Sequence, residues 1–260
     1  MTQQNNEPLP SGRLPVPAMR ARADYKGLVA PYSQFRPTTF YSTLARNGTY
    51  TGDIWGCPWR CHLCWSHSGR VDSAVNLECS PELVVDKFIK GMERNGMAGS
   101  RISGGDAGYW WEHVRAVIDQ FLDRTGDSHL HVTNGHSREN IWLVIETSGG
   151  IRITPEQLTD IERVHGPHAK GLALSIGMKA TSAEHLARLT GMPLRAAAAA
   201  HQRQLAVIEA ACRLEHVQPI IGFLRPYAPE GEFNELREWF DELRPGMRDY
   251  VDRLAFRNYN

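Results

Sequence analysis

The 260-residue chain has no long apolar run: none of its hydrophobic stretches reaches the ~18 residues that a membrane-spanning helix requires. It also lacks an excess of charge of either sign. Its 29 Lys+Arg balance 29 Asp+Glu, which argues against a protein whose main task is to grip nucleic acid through phosphates. Cysteine is scarce and odd in number, and five in a chain this long argue against a disulfide-stapled secreted scaffold. The first two dozen residues lack the continuous apolar core of a signal peptide. These absences leave the expectation of a cytoplasmic protein with no membrane contact and a small or weakly charged partner. What remains is ordinary globular composition, 42% hydrophobic and 22% charged, and a chain of this size can bury a core without staples.

Met1 to Asp24 is polar and proline-rich and reads as a flexible N-terminal extension. Residues 25–260 read as a single core domain. From Tyr50 onward, short β-like runs alternate with longer amphipathic stretches. Strands are expected at Thr49–Trp55, Arg101–Ser103, Ile141–Ile145, Gly171–Ile176, Val217–Leu224 and Arg253–Tyr259. Helices are expected at Pro81–Asn95, capped by Ser80, at Trp111–Arg124, at Pro155–Val164, capped by Thr154, at Pro193–Glu215 and at Phe233–Leu243. About six βα units imply an α/β protein with a parallel sheet, either an open doubly wound sheet or an incomplete barrel. In both, chemistry belongs at the carboxyl ends of the strands. Three polar loops fall there: the one after Trp55, Gly104-Gly105-Asp106, and Glu146-Thr147-Ser148-Gly149.

The first loop reads Gly56-Cys57-Pro58-Trp59-Arg60-Cys61-His62-Leu63-Cys64-Trp65, a C-x3-C-x2-C spacing. Three thiolates on one tight loop can hold three corners of a cubane iron–sulfur cluster and leave the fourth iron open. Other readings stand beside it: a zinc site completed by His62 or His67, a ferredoxin-like carrier with a remote fourth ligand, or unrelated buried cysteines. The zinc and carrier readings would make the chain a binding module. Cys79 and Cys212 show no cluster pattern and read as packing residues.

The cysteine spacing, with Leu63 just before Cys64, resembles the signature of the radical S-adenosylmethionine (SAM) superfamily. Ser103-Gly104-Gly105-Asp106 resembles that superfamily's Gly-Gly-Glu motif, with Asp one methylene shorter than Glu. Tyr32-Ser33-Gln34-Phe35-Arg36-Pro37, then Phe40-Tyr41 and Cys64-Trp65-Ser66, resemble a group of small radical SAM proteins. Ile145-Glu146-Thr147-Ser148-Gly149, Ser175-Ile176-Gly177-Met178-Lys179-Ala180 and Leu189-Thr190-Gly191 are similar to later segments of that group. They are also similar to glycyl-radical-enzyme activases and 7-carboxy-7-deazaguanine synthases. The resemblance implies a partial (β/α)6 TIM-like barrel with helices outside. It further implies a 4Fe–4S cluster on Cys57, Cys61 and Cys64, and SAM bound along Leu63, Gly104, Gly105, Asp106, Glu146, Ser148 and Ser175. The implied activity is reductive cleavage of SAM to a 5′-deoxyadenosyl radical that abstracts hydrogen from a substrate. A small metabolite or natural-product precursor is the favoured substrate, and a glycyl loop on a partner protein is the alternative. A one-electron donor such as flavodoxin or ferredoxin is the implied protein partner.

Further residues carry two readings each. Gly104 and Gly105 let backbone approach a ligand, and Asp106 can accept from a cationic amine, or the trio is a turn. Glu146 is a ligand-binding carboxylate or the polar end of a strand. Lys179 binds an anionic group or is solvated, and Arg225 binds one or forms a structural ion pair. Tyr109-Trp110-Trp111 line a cavity or pack in the core, and Trp59 and Trp65 shield the cluster from water. His129, His131 and His136 lie in an insertion, as a metal site or a solvated loop.

Overall fold

The computed structural model describes residues 28–39, 47–59, 61–64, 77–126, 142–150 and 152–254. The N-terminal extension, Phe40-Tyr41, Trp65-Ser66, His67, the three-histidine insertion and the end of the last strand lie outside them. One sheet contains eight strands: β1 (Ala30–Thr38), β2 (Thr49–Ile54), β3 (Leu77–Cys79), β4 (Gly99–Gly104), β5 (Trp142–Thr147), β6 (Leu172–Lys179), β7 (Gln218–Leu224) and β8 (Val251–Leu254). Their spatial order is β3-β1-β2-β4-β5-β6-β7-β8. Neighbours from β2 to β8 are all parallel, and β1 is antiparallel to β2 and β3.

The helices are α1 (Pro81–Asn95), α2 (Trp111–Gly126), α3 (Pro155–His165), α4 (Ala183–Thr190), α5 (Leu194–Arg213) and α6 (Glu230–Leu243). Local chemistry sets their ends. The Ser80 hydroxyl accepts from Leu83 N at 3.3 Å, Pro81 needs no acceptor in the first turn, and Gly96 closes α1 in the left-handed region. Thr154 and Gln157 form a reciprocal capping box on α3. The helices lie between successive parallel strands, as crossovers require.

The expectation of about six strands is corrected in one respect. Six strands run parallel, but β1 and β3 add an antiparallel pair at one end of the sheet. Helix α4 was also not foreseen. It is a short element between Ser182, whose hydroxyl accepts from His185 N, and the left-handed Gly191. The result is a mixed α/β fold with a mostly parallel sheet.

The two faces of that sheet differ. Ile54, Ile102, Leu143, Ile145, Leu174, Ile176, Ile221 and Phe223 point one way and are buried in the main core with the helices. Alternate residues point the other way. Along β7, Pro219, Ile221 and Phe223 are buried, whereas Gln218, Ile220, Gly222 and Leu224 are half-buried. The second, inner face is therefore partly open to water.

Candidate functional site

The cysteine loop begins where β2 ends and is clamped there by backbone bonds. Trp55 N donates to Pro31 O at 2.8 Å, and Trp110 Nε1 donates to Trp55 O at 2.7 Å. The Gly-Gly-Asp loop leaves β4 alongside. Gly105 N donates to Ile54 O at 2.7 Å, and Asp106 N donates to Gly56 O at 2.9 Å. Only glycine fits here: a Cβ on Gly105 would lie 2.3 Å from the Gly56 carbonyl oxygen, and Gly104 adopts a φ of +87°. Two of the three loops thus meet through their backbones.

The far side of the cysteine loop is tied to the second half of the domain. His62 N donates to Leu189 O at 3.2 Å, and its Nδ1 lies 2.9 Å from the same carbonyl. Because Leu189 O can only accept, Nδ1 carries the proton, and Nε2 accepts from the Tyr227 hydroxyl at 2.5 Å. Cys64 N donates to Cys61 O at 3.1 Å, which turns the chain between the last two cysteines. Cys61 is buried, and Cys57, Leu63 and Cys64 are half-buried. They pack with Trp59, Ala180, Leu186, Leu189 and Tyr227 in a small apolar cluster of their own.

Burial pushes the Cys57 thiol well above its usual range, and Asp106 and Cys61 push the same way. Lys179 and a backbone bond from Trp59 oppose them. Lys179 occupies a left-handed conformation (φ +68°) where the β6–β7 register shifts. Burial works against its charge, but the attraction of Cys61, Cys64, Cys57 and Asp106 outweighs it and holds the ammonium above the ordinary lysine value. Three buried or half-buried thiols facing a cation make an environment that favours thiolates once a metal group is bound. Among the described residues, no three His, Cys, Asp or Glu side chains gather closely enough to hold one metal ion. The donor set fits a larger group with several metal corners, each taking one thiolate.

Asp106 is committed within the protein. It is 2% exposed. Oδ1 accepts from Gly108 N at 2.9 Å and the Thr147 hydroxyl at 2.7 Å, and Oδ2 accepts from Ser148 N at 3.2 Å and from the Ser148 hydroxyl. The carboxylate joins the loop after β4 to the loop after β5. Ser148 O in turn accepts from Gln204 Nε2 of α5 at 2.7 Å. Glu146, one residue before the end of β5, lies on the inner face, accepts from Arg101 Nη1 at 3.2 Å and from the Ser103 hydroxyl, and stays half-buried. Ser175 is its partner on β6.

Of the remaining candidates, Tyr109, Trp110 and Trp111 are buried in the main core. Trp59 is buried beside the cysteines. Arg225 is exposed in a short 3-10 turn, Arg225–Tyr227, after β7. Cys79 and Cys212 are buried, and burial pushes the Cys212 thiol up to about 11, against Arg244 and with Glu209. Sequence reasoning did not single out Asp53, Arg101 or the His62–Tyr227 contact. Their partners lie on other strands or loops, so no local spacing signals them.

The fold is similar to that of two solved structures. TsrM, a radical SAM methyltransferase from Kitasatospora setae solved with cobalamin and a 4Fe–4S cluster, matches 80% of this chain and 34% of its own. The TM-score is 0.51 and the identity 13%. TYW1, solved with a lysine–pyruvate adduct, matches 95% of this chain and 82% of its own, with a TM-score of 0.50 and 12% identity. The chain thus spans about a third of TsrM and most of TYW1. No protein-family profile matches the sequence, and no curated protein sequence does either.

Proposed function

We propose that the protein is a radical SAM enzyme acting on a small substrate. The observation that carries this reading is the C-x3-C-x2-C loop, held at the carboxyl end of the first parallel strand and braced by Gly105 and Asp106. The likeness in fold to TsrM and TYW1 supports it. Cys57, Cys61 and Cys64 would hold a 4Fe–4S cluster, and Leu63, Gly104, Gly105, Asp106, Glu146, Ser148 and Ser175 would line the SAM site. When bound, the cluster supplies one electron that cleaves SAM to a 5′-deoxyadenosyl radical able to take hydrogen from a substrate.

The chain's own residues bind, orient and exclude water. Trp59 covers one side of the cysteines. Lys179 offsets the negative charge that three thiolates bring. His62 fixes the loop to the segment that carries Leu189. Asp106 holds two loops in register, so it shapes the SAM site even where its oxygens face inward. A one-electron donor such as flavodoxin or ferredoxin would serve as partner, in the reducing cytoplasm. Among the described residues no helix is long and apolar enough to cross a membrane.

Anaerobic reconstitution with iron and sulfide, followed by dithionite and SAM, tests the reading. Formation of 5′-deoxyadenosine and methionine by the native chain, and its loss in Cys61→Ala, is the expected result. A fully loaded chain that leaves SAM intact would overturn the proposal.

A further inference from the structure

Strand register places six inner-face residues in one row across the sheet. Gln34 of β1 pairs with Asp53 of β2, and Asp53 with Ser103 of β4. Glu146 of β5, bonded to the Ser103 hydroxyl, pairs with Ser175 of β6, and Ser175 with Ile220 of β7. Five of the six are polar, and two are carboxylates separated by two strand spacings, roughly 10 Å. The row lies two to four residues below the loops that carry Cys57, Asp106 and Ser148. Just above it on the same face, β6 and β7 place Gly177 and Gly222, and the Lys179 side chain lies over Gly177, its Cε 3.0 Å from where a Cβ would sit.

The two guanidinium groups sit on the other side of the row, whereas Lys179 lies on the loop side, drawn to the cysteines and Asp106. Arg36 and Arg101 belong to the tier below, farther from the loops, and reach up to the carboxylates. Arg36 Nε and Nη2 meet Asp53 Oδ2 at 3.2 and 3.1 Å, and Arg101 Nη1 meets Glu146 Oε1 at 3.2 Å. Apart from the Lys179 ammonium over β6, drawn toward the cysteines, the face turned to the loops presents carboxylates, hydroxyls and an amide, with the guanidinium groups beneath.

Asp53 carries the decisive asymmetry. Its side chain is 5% exposed. Oδ2 takes the Gln34 amide at 2.8 Å as well as both Arg36 nitrogens, whereas Oδ1 is buried and has no hydrogen-bond partner. A buried carboxylate oxygen without a donor is costly, and such groups persist where something else supplies the donor. The neighbouring Gln34 is exposed and makes one neutral bond to the carboxylate. A charged donor makes a stronger bond than that amide and can displace it.

We propose that the Gln34, Asp53 and Ser103 part of this row, beside the SAM positions Glu146 and Ser175, is the floor of the substrate site and that it selects a primary amine, whose ammonium group docks on Asp53 in place of the Gln34 amide. The inference rests on the radical SAM reading only for the orientation of the site beneath the cysteine loop. An ammonium group brings donors to both Asp53 oxygens. An anion at the same level would face two carboxylates, and an alcohol would bring a single neutral donor.

The test uses the full chain, reconstituted with its cluster, and three matched probes: n-propylammonium, n-propanol and propionate at constant ionic strength. Saturation-transfer NMR titrations should show n-propylammonium binding at least tenfold more tightly than either control. Asp53→Asn should remove that preference. Gln34→Ala, at an exposed position, should strengthen ammonium binding because the competing amide is gone. Equal binding of the three probes, stronger binding of propionate, or weaker ammonium binding in Gln34→Ala would overturn the proposal. SAM cleavage by the native chain is measured in parallel. If cleavage proceeds and the ammonium preference is missing, the substrate floor fails alone; if cleavage fails, the radical SAM reading fails, and the probe titration still decides the amine site.

Discussion

Replacing Asp106 by alanine should destabilise the protein even when no cofactor is present. Its buried carboxylate accepts four hydrogen bonds, two from backbone N–H groups and two from hydroxyls. Bonds to a charged acceptor are worth ~1.5–3 kcal/mol each. They share one carboxylate, so they do not add, and the variant recovers the cost of dehydrating the charge. Against that recovery, the Gly108 amide and the Thr147 hydroxyl are left buried without this acceptor, and the loops after β4 and β5 lose their link. Breaking a buried charged network of this kind costs roughly 3 kcal/mol. In a chain of this length each kcal/mol moves the thermal midpoint by about 2–4 °C, so the midpoint should fall by roughly 6–12 °C. Scanning fluorimetry of the cofactor-free full-length chain, kept anaerobic, reads this directly. Asp106→Asn, which keeps one acceptor oxygen, should fall less. A residue that served only the SAM amine would leave the cofactor-free midpoint in place or raise it. A shift smaller than about 1 °C in Asp106→Ala would therefore show that the Asp106 carboxylate does not hold the two loops together.

Further outcomes follow from the same geometry. Gly105→Ala places a Cβ 2.3 Å from Gly56 O and 2.8 Å from Ile54 O; both are backbone atoms, so the cysteine loop must move, and iron bound per chain after reconstitution should drop by more than half. Tyr227→Phe removes the hydroxyl that donates to His62 Nε2 at 2.5 Å; this should cost about 1 kcal/mol of stability and speed the loss of iron to a chelator. Burial holds the His113 imidazole down to about 4, against the backbone bond to Leu28. The folded chain keeps that ring neutral while the unfolded chain protonates it below ~6.5, so its stabilising contribution is complete above that pH. Roughly 3 kcal/mol is then lost as pH falls from ~6.5 through ~4, a slope that urea midpoints should show in the native chain and not in His113→Asn. Cys212, buried in α5 and with its thiol pushed up to about 11, should resist alkylation at pH 8 until the chain is unfolded.

What could be read from the sequence was local. Ser80-Pro81 and Thr154-Pro155 announce helix starts because a cap acts within one turn, and both helices begin where those residues place them. The cysteine spacing was legible for the same reason. Strand β1 was not, because Pro31 and Pro37 interrupt its pattern; its pairing depends on β2 and on the three-residue β3. Asp106 shows a subtler limit. Its residue type suits an amine, but only the fold reveals that Thr147 and Ser148, 41 and 42 residues later, already occupy it.

The β7 segment shows why the inner face was hidden. Pro219-Ile220-Ile221-Gly222-Phe223-Leu224 reads as a continuous apolar run, the pattern of a strand covered on both faces. Yet only Pro219, Ile221 and Phe223 are buried, while Ile220, Gly222 and Leu224 are half-buried. Nothing in the run distinguishes the two sets, because both are apolar. The difference comes from β1, β2, β4 and β5, whose inner positions are Gln34, Asp53, Ser103 and Glu146. Side chains of that kind cannot pack against Ile220 and Leu224 without losing their partners, so the two halves of the face cannot close into a dry core. A sheet face that is polar at one end and hydrocarbon at the other is the consequence. A ligand seated on the substrate floor proposed above would have to match both, a tighter constraint than the cysteine motif sets.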